Sequence, residues 1–193
     1  MANTQTNVSV GKPKIGGAIY RAPLGTTLPT DATGTLNAAF KCLGYVSEDG
    51  LKNTPNISSN NIKAWGGDTV LTVQTSKEDT FGFKLIEVLN TEVLSAVYNS
   101  ANVAGTALST GYTVRVNSTE AEAAAWVFDM TMTGGVAKRI VVPNGKISGI
   151  GEIVYKDTDA IGYDITLSAL PGGFTSPDED THKEYIKKSS TSS

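Results

Sequence analysis

The segment AWVFDMTMTGGVAKRIVVP, residues 125–143, decides the fold of this 193-residue chain. In its first nine residues every second side chain is large, as expected when one face of a β-strand is buried. The large side chains are Trp126, Phe128, Met130 and Met132. The pair Gly134–Gly135 follows, and the chain then continues as a second apolar run. Because glycines between two such runs are typical of a β-hairpin, we predict two antiparallel strands here.

The same period of two recurs on both sides of this segment. It is seen in TFGFKLIEV (80–88), YTVRVNS (112–118) and YDITLSAL (163–170). The pair Asn144–Gly145 predicts a further hairpin turn, which joins the strand before Pro143 to KISGIGEIVYK. The sequence therefore predicts a mainly β fold with two packed antiparallel sheets, arranged as a sandwich or barrel.

One segment, NTEVLSAVYN (90–99), has helical spacing instead. Its apolar residues are Val93, Leu94, Val97 and Tyr98. Asn90 or Thr91 can cap the first turn, and Glu92 lies where the helix dipole favours an acid. We predict one short amphipathic helix on the flank of the sheet.

Length favours a single domain with polar ends. Residues 1–14 and 174–193 lack apolar periodicity, so we predict an N-terminal and a C-terminal arm around a domain at 15–173. His182 lies in the second arm among acidic residues, which indicates a solvated loop.

Composition excludes several classes of function. A net charge of -3 offers no basic excess for gripping phosphates. With only Cys42 and His182, the chain cannot form an internal disulfide framework or a site that needs two imidazoles. We find no nucleophile elbow, Walker-type loop or paired carboxylates, and we predict neither catalysis nor a cofactor. No stretch approaches the roughly 20 apolar residues of a membrane span and the N-terminus has no leader pattern, so we expect synthesis in the cytoplasm and no membrane partner.

Three consecutive stretches resemble a known family. They are LGYVSEDGLKNT (43–54), IKAWGGDTVLTV (62–73) and KEDTFGFKLIEVLNTEVLSAVYN (77–99), and together they are similar to the major tail tube protein of long-tailed, siphovirus-type phages. The resemblance implies two crosswise sheets with an outer helix, and hexameric rings stacked into a hollow tube that conducts genomic DNA without sequence-specific binding. It also implies a place in the virion tail, beside the tape measure, tail terminator and tail-tip proteins.

Two other classes share these features. The tube protein of a bacterial injection apparatus has a similar fold and ring. A carbohydrate-binding or adhesive β-sandwich shares the strands and the threonine content, but it normally requires export, for which the chain shows no signal.

The region from Gly44 to Gly67 is too polar to fill a core. It contains the acidic turn Glu48, Asp49 and Gly50, with apolar residues spaced along the rest: Leu51, Ile57, Ile62 and Trp65. Such isolated apolar side chains favour a neighbouring surface. We predict that 44–67 is an inter-subunit loop or hairpin.

A tube wall along which DNA slides is expected to be neutral or acidic, because lysine and arginine would hold the duplex. Strand parity places polar residues opposite the predicted core face. The candidates for the lumen are Asp129, Thr131, Asp164 and Thr166, with Thr133, Ser168 and the weaker Glu152.

Overall fold

The computed structural model describes residues 3–174 and 180–188. Within them the chain forms eleven β-strands and one α-helix. The strands are β1 Gly11–Pro13, β2 Ile19–Pro23, β3 Lys41–Cys42, β4 Lys52–Lys63, β5 Thr69–Leu85, β6 Val103–Ala104, β7 Thr113–Val114, β8 Ala124–Met132, β9 Val136–Ile150, β10 Tyr163–Ala169 and β11 Lys183–Lys188; the helix is α1 Thr91–Tyr98.

Nine strands form one antiparallel sheet. Its order is β3-β2-β8-β9-β10-β5-β4, with β1 added to β8 and β11 added to β9. Strand β9 joins the two halves, because it pairs with β8 on one edge and successively with β11 and β10 on the other. The small pair β6-β7 forms a separate sheet.

The large sheet folds over a single main core. The rings of Phe81 on β5 and Phe128 on β8 stack with centroids 5.2 Å apart, although two strands separate them in the sheet. The predicted mainly β fold is therefore confirmed, and its two packed layers are halves of one hydrogen-bonded sheet that does not close into a barrel.

Helix α1 covers one side of this core with Val93, Leu94, Ala96 and Val97. Its first turn is capped by Asn90, whose side-chain oxygen accepts a hydrogen bond from the backbone N–H of Glu92 at 3.0 Å. Asn99, with φ of 69°, follows the last helical residue, a backbone conformation that asparagine tolerates better than most residues. Local sequence thus defines the start of the helix, whereas its end is also held by distant residues: the Asn99 side chain donates to the Glu120 carbonyl at 3.0 Å and accepts from the Glu122 N–H at 3.2 Å.

A second apolar cluster lies on the opposite face of β2, β8 and β9. It consists of Ala22, Phe40, Ala125, Val127 and Val141, covered by Leu28, Leu36 and Ala39 from the loop between β2 and β3 and by Phe174 and Tyr185 from the C-terminal region. Residues 124–129 of β8 and 139–143 of β9 are consequently buried on both faces. The period-two pattern of the sequence predicts that these positions face solvent, and it gives no sign of the segments that cover them.

The hairpin turn predicted at Asn144–Gly145 is wrong. Strand β9 runs through both residues, with an irregular register beside β8. A glycine occupies position 145 because the Trp126 indole packs against the backbone there, and its Nε1 donates to the carbonyl of Gly145 at 3.2 Å. A Cβ on Gly145 would lie only 2.7 Å from Trp126 Cδ1, so the glycine provides room for the ring and not for a turn.

The two predicted arms also differ from the structure. Strand β1 pairs with β8, and β11 pairs with β9, so parts of residues 1–14 and 174–193 belong to the sheet. Within these two arms, residues 1–2, 175–179 and 189–193 lie outside the described residues.

We expect Gly145→Ala to destabilise the subunit by about 1–3 kcal/mol, because the added methyl overlaps the Trp126 ring. Gly82→Ala is the matched control, since its Cβ would meet nothing closer than Lys52 Cβ at 3.9 Å. Urea unfolding of the unassembled subunit measures both free energies. Equal stability of the two variants would contradict this account of β9.

Candidate functional site

A long β-hairpin projects from the edge of the sheet. Strands β4 and β5 pair from Lys52 and Gly82 outward to Lys63 and Thr69. All of β4 is exposed, and so are the first ten residues of β5; burial begins only at Asp79. We call residues 56–78 the projecting hairpin. It makes no contribution to either apolar cluster.

The outer part of the projecting hairpin is amphipathic. Ile62 pairs with Leu71 and Asn60 pairs with Val73, so the three apolar side chains share one face. On the other face the Thr72 hydroxyl donates to Asn61 Oδ1 at 2.8 Å. The apolar side chains are each about half exposed, which leaves an uncovered apolar surface on a two-stranded ribbon.

The tip of the projecting hairpin presents Trp65 to solvent. Its turn is closed by a hydrogen bond from the Ala64 N–H to the Asp68 carbonyl at 2.8 Å. Gly66 and Gly67 have φ of 114° and 100°, a region that side chains disfavour, so the tight turn depends on them. Nothing in the described chain covers the indole, whose residue is 106% exposed.

The predicted segment 44–67 therefore divides into two parts. Ile57, Ile62 and Trp65 lie in the projecting hairpin. The acidic turn lies before β4, where Gly50 donates to the Ser47 carbonyl at 3.0 Å and the Ser47 hydroxyl bonds Asp49 at 3.1 Å. Glu48 belongs to this turn, and Leu51 packs against the main core.

The root of the projecting hairpin is fixed by the buried carboxylate of Asp79. Its Oδ1 accepts from Asn53 Nδ2 at 2.6 Å, and its Oδ2 lies 3.0 Å from Thr181 Oγ1 and 2.5 Å from His182 Nδ1. His182 also packs edge-on against Phe81. The reading of His182 as a solvated loop residue is thus wrong, because the residues before β11 dock onto the hairpin root.

Asp129 is not a lumen residue. It is 3% exposed and forms a two-pronged ion pair with the fully buried guanidinium of Arg139, at 2.6 Å and 2.8 Å. This hydrogen bonding raises the pKa of Arg139 above its usual value. The remaining nitrogen of Arg139 donates to the carbonyls of Gly34 at 2.8 Å and Asp31 at 3.2 Å, and Lys14 Nζ lies 3.2 Å from Asp129.

The other half of the sheet leaves its outer face uncovered. In this half Asp164 lies opposite Lys84, Thr166 opposite Gly82 and Ser168 opposite Thr80. We call this surface the open face; its residues are Thr80, Gly82, Lys84, Lys146, Ser148, Asp164, Thr166 and Ser168. The Ser168 hydroxyl donates a hydrogen bond to the Ser148 hydroxyl at 2.8 Å.

Two further candidates lie beside or away from the open face. Glu152 is exposed and follows Gly151, whose N–H donates to the Asp164 carbonyl at 2.7 Å, so both acids lie at one corner. Thr131 is exposed on β8, opposite Ala137, in the covered half of the sheet. Thr133 lies in the turn between β8 and β9.

Charge on the open face is partly compensated and not uniformly acidic. Lys84 directly faces Asp164 in the register, and Lys146 forms an ion pair with Glu120. That hydrogen bond lowers the pKa of Glu120. The same face also carries the exposed Lys52, which lies opposite Gly82 and forms no ion pair with the described residues. The surface is consequently rich in hydroxyls, with lysines that are only partly compensated by acids.

Residues 3–174 and 180–188 contain neither a metal site nor a membrane-spanning helix. This part of the chain has no group of three histidine, cysteine, aspartate or glutamate residues placed to hold a metal ion. It also has no helix long and apolar enough to cross a membrane.

The family model described as phage tail tube protein matches residues 1–189, and the chain belongs to that family. It is a structural component of the phage virion tail, where it assembles with other tail components. No curated protein matches the chain. A cryo-EM structure of the anti-feeding prophage cap, described as a tube terminating cap, is similar at 11% identity, covering 98% of this chain and 100% of that one with a TM-score of 0.43.

We expect Asp129→Ala to cost about 3–5 kcal/mol of unfolding free energy, because it leaves the buried Arg139 charge without its partner. The exposed Asp164→Ala is the control and is expected to change stability by about 0.5 kcal/mol or less. Chemical unfolding of the two unassembled subunits tests this, and a similar midpoint for both would refute a structural role for the ion pair.

Proposed function

We propose that this chain forms hexameric rings that stack into a hollow tube, and that genomic DNA passes through the tube. The observation that carries the proposal is the projecting hairpin, which exposes both faces in the single chain. A folded protein gains nothing from such an element unless another surface covers it. Membership of the tail tube family makes another copy of the chain the natural partner.

The free edge of β4 supports this role. In the described part of the chain β4 pairs with β5 on one edge, which leaves hydrogen-bonding groups unpaired along a twelve-residue strand. Long exposed edges invite pairing with another chain. In a ring, a strand of the adjacent subunit would occupy this edge and continue the sheet from one subunit to the next.

The apolar face of the projecting hairpin would add stabilisation. Ile62, Leu71 and Val73 are each about half exposed in the subunit. Complete burial of a large aliphatic side chain is worth about 1.5–3 kcal/mol, so covering the exposed half contributes about 1 kcal/mol per residue. Each subunit of a ring would both give and receive such a contact.

For the lumen we propose the open face as the wall, with Asp164, Thr166 and Glu152 among its residues. Uncompensated lysines would release counterions from DNA and hold it. Here Lys84 lies opposite Asp164 and Lys146 pairs with Glu120, and hydroxyls lie between them. Thr131 lies on the covered half and is not part of this wall.

The ends of such a tube must meet different proteins. We propose that the same surfaces which join rings also contact the tape measure, tail terminator and tail-tip proteins. Copies of the chain itself remain the principal partner.

Replacing residues 58–76 by Asn-Gly tests the assembly role, because Ile57 and Lys77 are paired and can close a two-residue turn. We expect a subunit with unchanged thermal stability that forms no tubes by negative-stain microscopy. Normal tube yield would refute the role of the projecting hairpin.

Two point variants on adjacent residues sharpen this test. Leu71→Asp alters the apolar face and is expected to reduce tube yield strongly. Thr72→Asp adds the same charge on the polar face and is expected to reduce it less. Equal losses would show that charge, and not the apolar contact, controls assembly.

Asp164→Lys tests the lumen assignment. We expect normal tubes and slowed DNA ejection, because Lys84 would lose its acidic partner and the wall would gain two uncompensated positive charges. Asp164→Asn is the control that adds a single uncompensated charge and has a smaller effect. Unchanged ejection of phage carrying Asp164→Lys would remove the open face from the lumen.

A further inference from the structure

We propose that the tip of the projecting hairpin inserts Trp65 into an apolar pocket beside the start of α1 in a neighbouring copy of the chain. The proposal rests on the proposed function, since it specifies where one subunit receives another. The sequence indicates that Trp65 contacts another surface, and the proposal states which surface that is.

The inserted group is an indole that the single subunit leaves uncovered. Tryptophan carries a large apolar surface and is enriched among the residues that dominate interface energies. The other tryptophan, Trp126, is 1% exposed in the main core and is unavailable for such a contact. A rigid turn with two glycines holds Trp65 at the outermost point of the chain's longest hairpin.

The pocket has about 590 Å³ of volume, within the range of about 300–1,000 Å³ that is usual for binding clefts. Its apolar lining is contributed by Pro13, Ile15, Ala18, Cys42, Tyr45 and Val46. Ile15 is completely exposed and Tyr45 is 75% exposed, so large apolar groups stand uncovered around a concave surface. Such a patch is suited to an aromatic side chain.

The tip and the pocket each carry one acid and one base. Lys63 ends β4 and Asp68 closes the turn beside Trp65. Lys14 and Glu87 line the pocket, and the Lys14 side chain is 47% exposed. In the pocket Lys14 already pairs with Asp129. The Glu87 carboxylate accepts from the backbone N–H of Tyr45 at 2.9 Å and from Asn90 Nδ2 at 3.1 Å. The pocket charges are therefore compensated within the subunit, and neither surface presents a net charge that would oppose the contact.

The same strand separates the tip from the pocket within one chain. The tip precedes Thr69 at the start of β5, whereas Val46 bridges to Leu85 at its end and Glu87 follows two residues later. A strand of 17 residues is about 50 Å long, so Trp65 cannot reach the pocket of its own subunit. The contact is therefore head-to-tail, the kind that generates rings or stacked arrays.

Other concavities of the described chain fit the indole less well. The one beside β2 and α1 is lined by Arg21, Lys41, Glu92 and Glu122, and the one beside Phe174 is rich in threonines and includes Lys183. Desolvating these charges and hydroxyls against an indole would cost free energy. The pocket at Ile15 and Tyr45 is lined by two charged side chains, Lys14 and Glu87, and both already have partners within the subunit.

The single cysteine of the chain lies in this pocket, which permits a direct test. A Trp65→Cys variant treated with a short bismaleimide is expected to give covalent oligomers by linkage to Cys42 of another copy. Ile57→Cys, near the hairpin root, is the control and should give few. Cys42→Ser in the Trp65→Cys background should abolish the oligomers. Cross-linking that stays within monomers, or equal cross-linking of both variants, overturns the proposal.

The unsubstituted protein provides a second measurement that does not depend on the loss of Trp65. On assembly, Trp65 emission should shift to shorter wavelength and resist iodide quenching, while Cys42 should react with a maleimide at least tenfold more slowly. Tubes with unchanged quenching and unchanged Cys42 reactivity overturn the pocket contact but leave the tube function standing. If concentrated subunits form no tubes, the proposed function fails. The contact is judged separately: oligomers cross-linked between Trp65→Cys and Cys42 support it, and the absence of such oligomers overturns it.

Discussion

The buried ion pair between Arg139 and Asp129 is the constraint on which the arrangement of this subunit depends. A guanidinium without exposure must have every donor close to an acceptor, since an unpaired buried charge is far more costly than a paired one. Asp129 satisfies one side of Arg139, and the carbonyls of Asp31 and Gly34 satisfy another. The loop between β2 and β3 is thereby held over β8 and β9.

That cover gives one sheet two different outer faces. Where the loop lies, Val127 and Val141 are buried and the strands resemble those of a protein interior. In the half formed by β9, β10 and β5, the same surface carries Lys84, Asp164 and hydroxyls, and remains open. The two halves of the sheet therefore present different outer surfaces, one covered by apolar packing and one exposed and polar.

The projecting hairpin differs from the rest of the fold because core packing does not stabilise it. An isolated two-stranded ribbon is marginal in water, and this one has no core contact beyond its root. Asp79 fixes that root through Asn53, Thr181 and His182. The domain thus fixes the direction of the hairpin at its root, while residues 56–78 have no contact with either apolar cluster of the subunit.

Sequence by itself determined the features that local physics controls. The alternation in residues 125–133 and 163–170 marks strands because a sheet has two faces, and the spacing and cap of residues 90–99 mark a helix because its hydrogen bonds are local. The sequence also predicted that Ile57, Ile62 and Trp65 are exposed, because the polar segment around them cannot form a core that buries them. Tertiary structure decided the positions where distant segments meet: Gly145 makes room for Trp126, β11 joins β9, and the loop closes over Asp129. Period-two patterning distinguishes two faces of a strand, but it carries no information about which distant segment covers the second face.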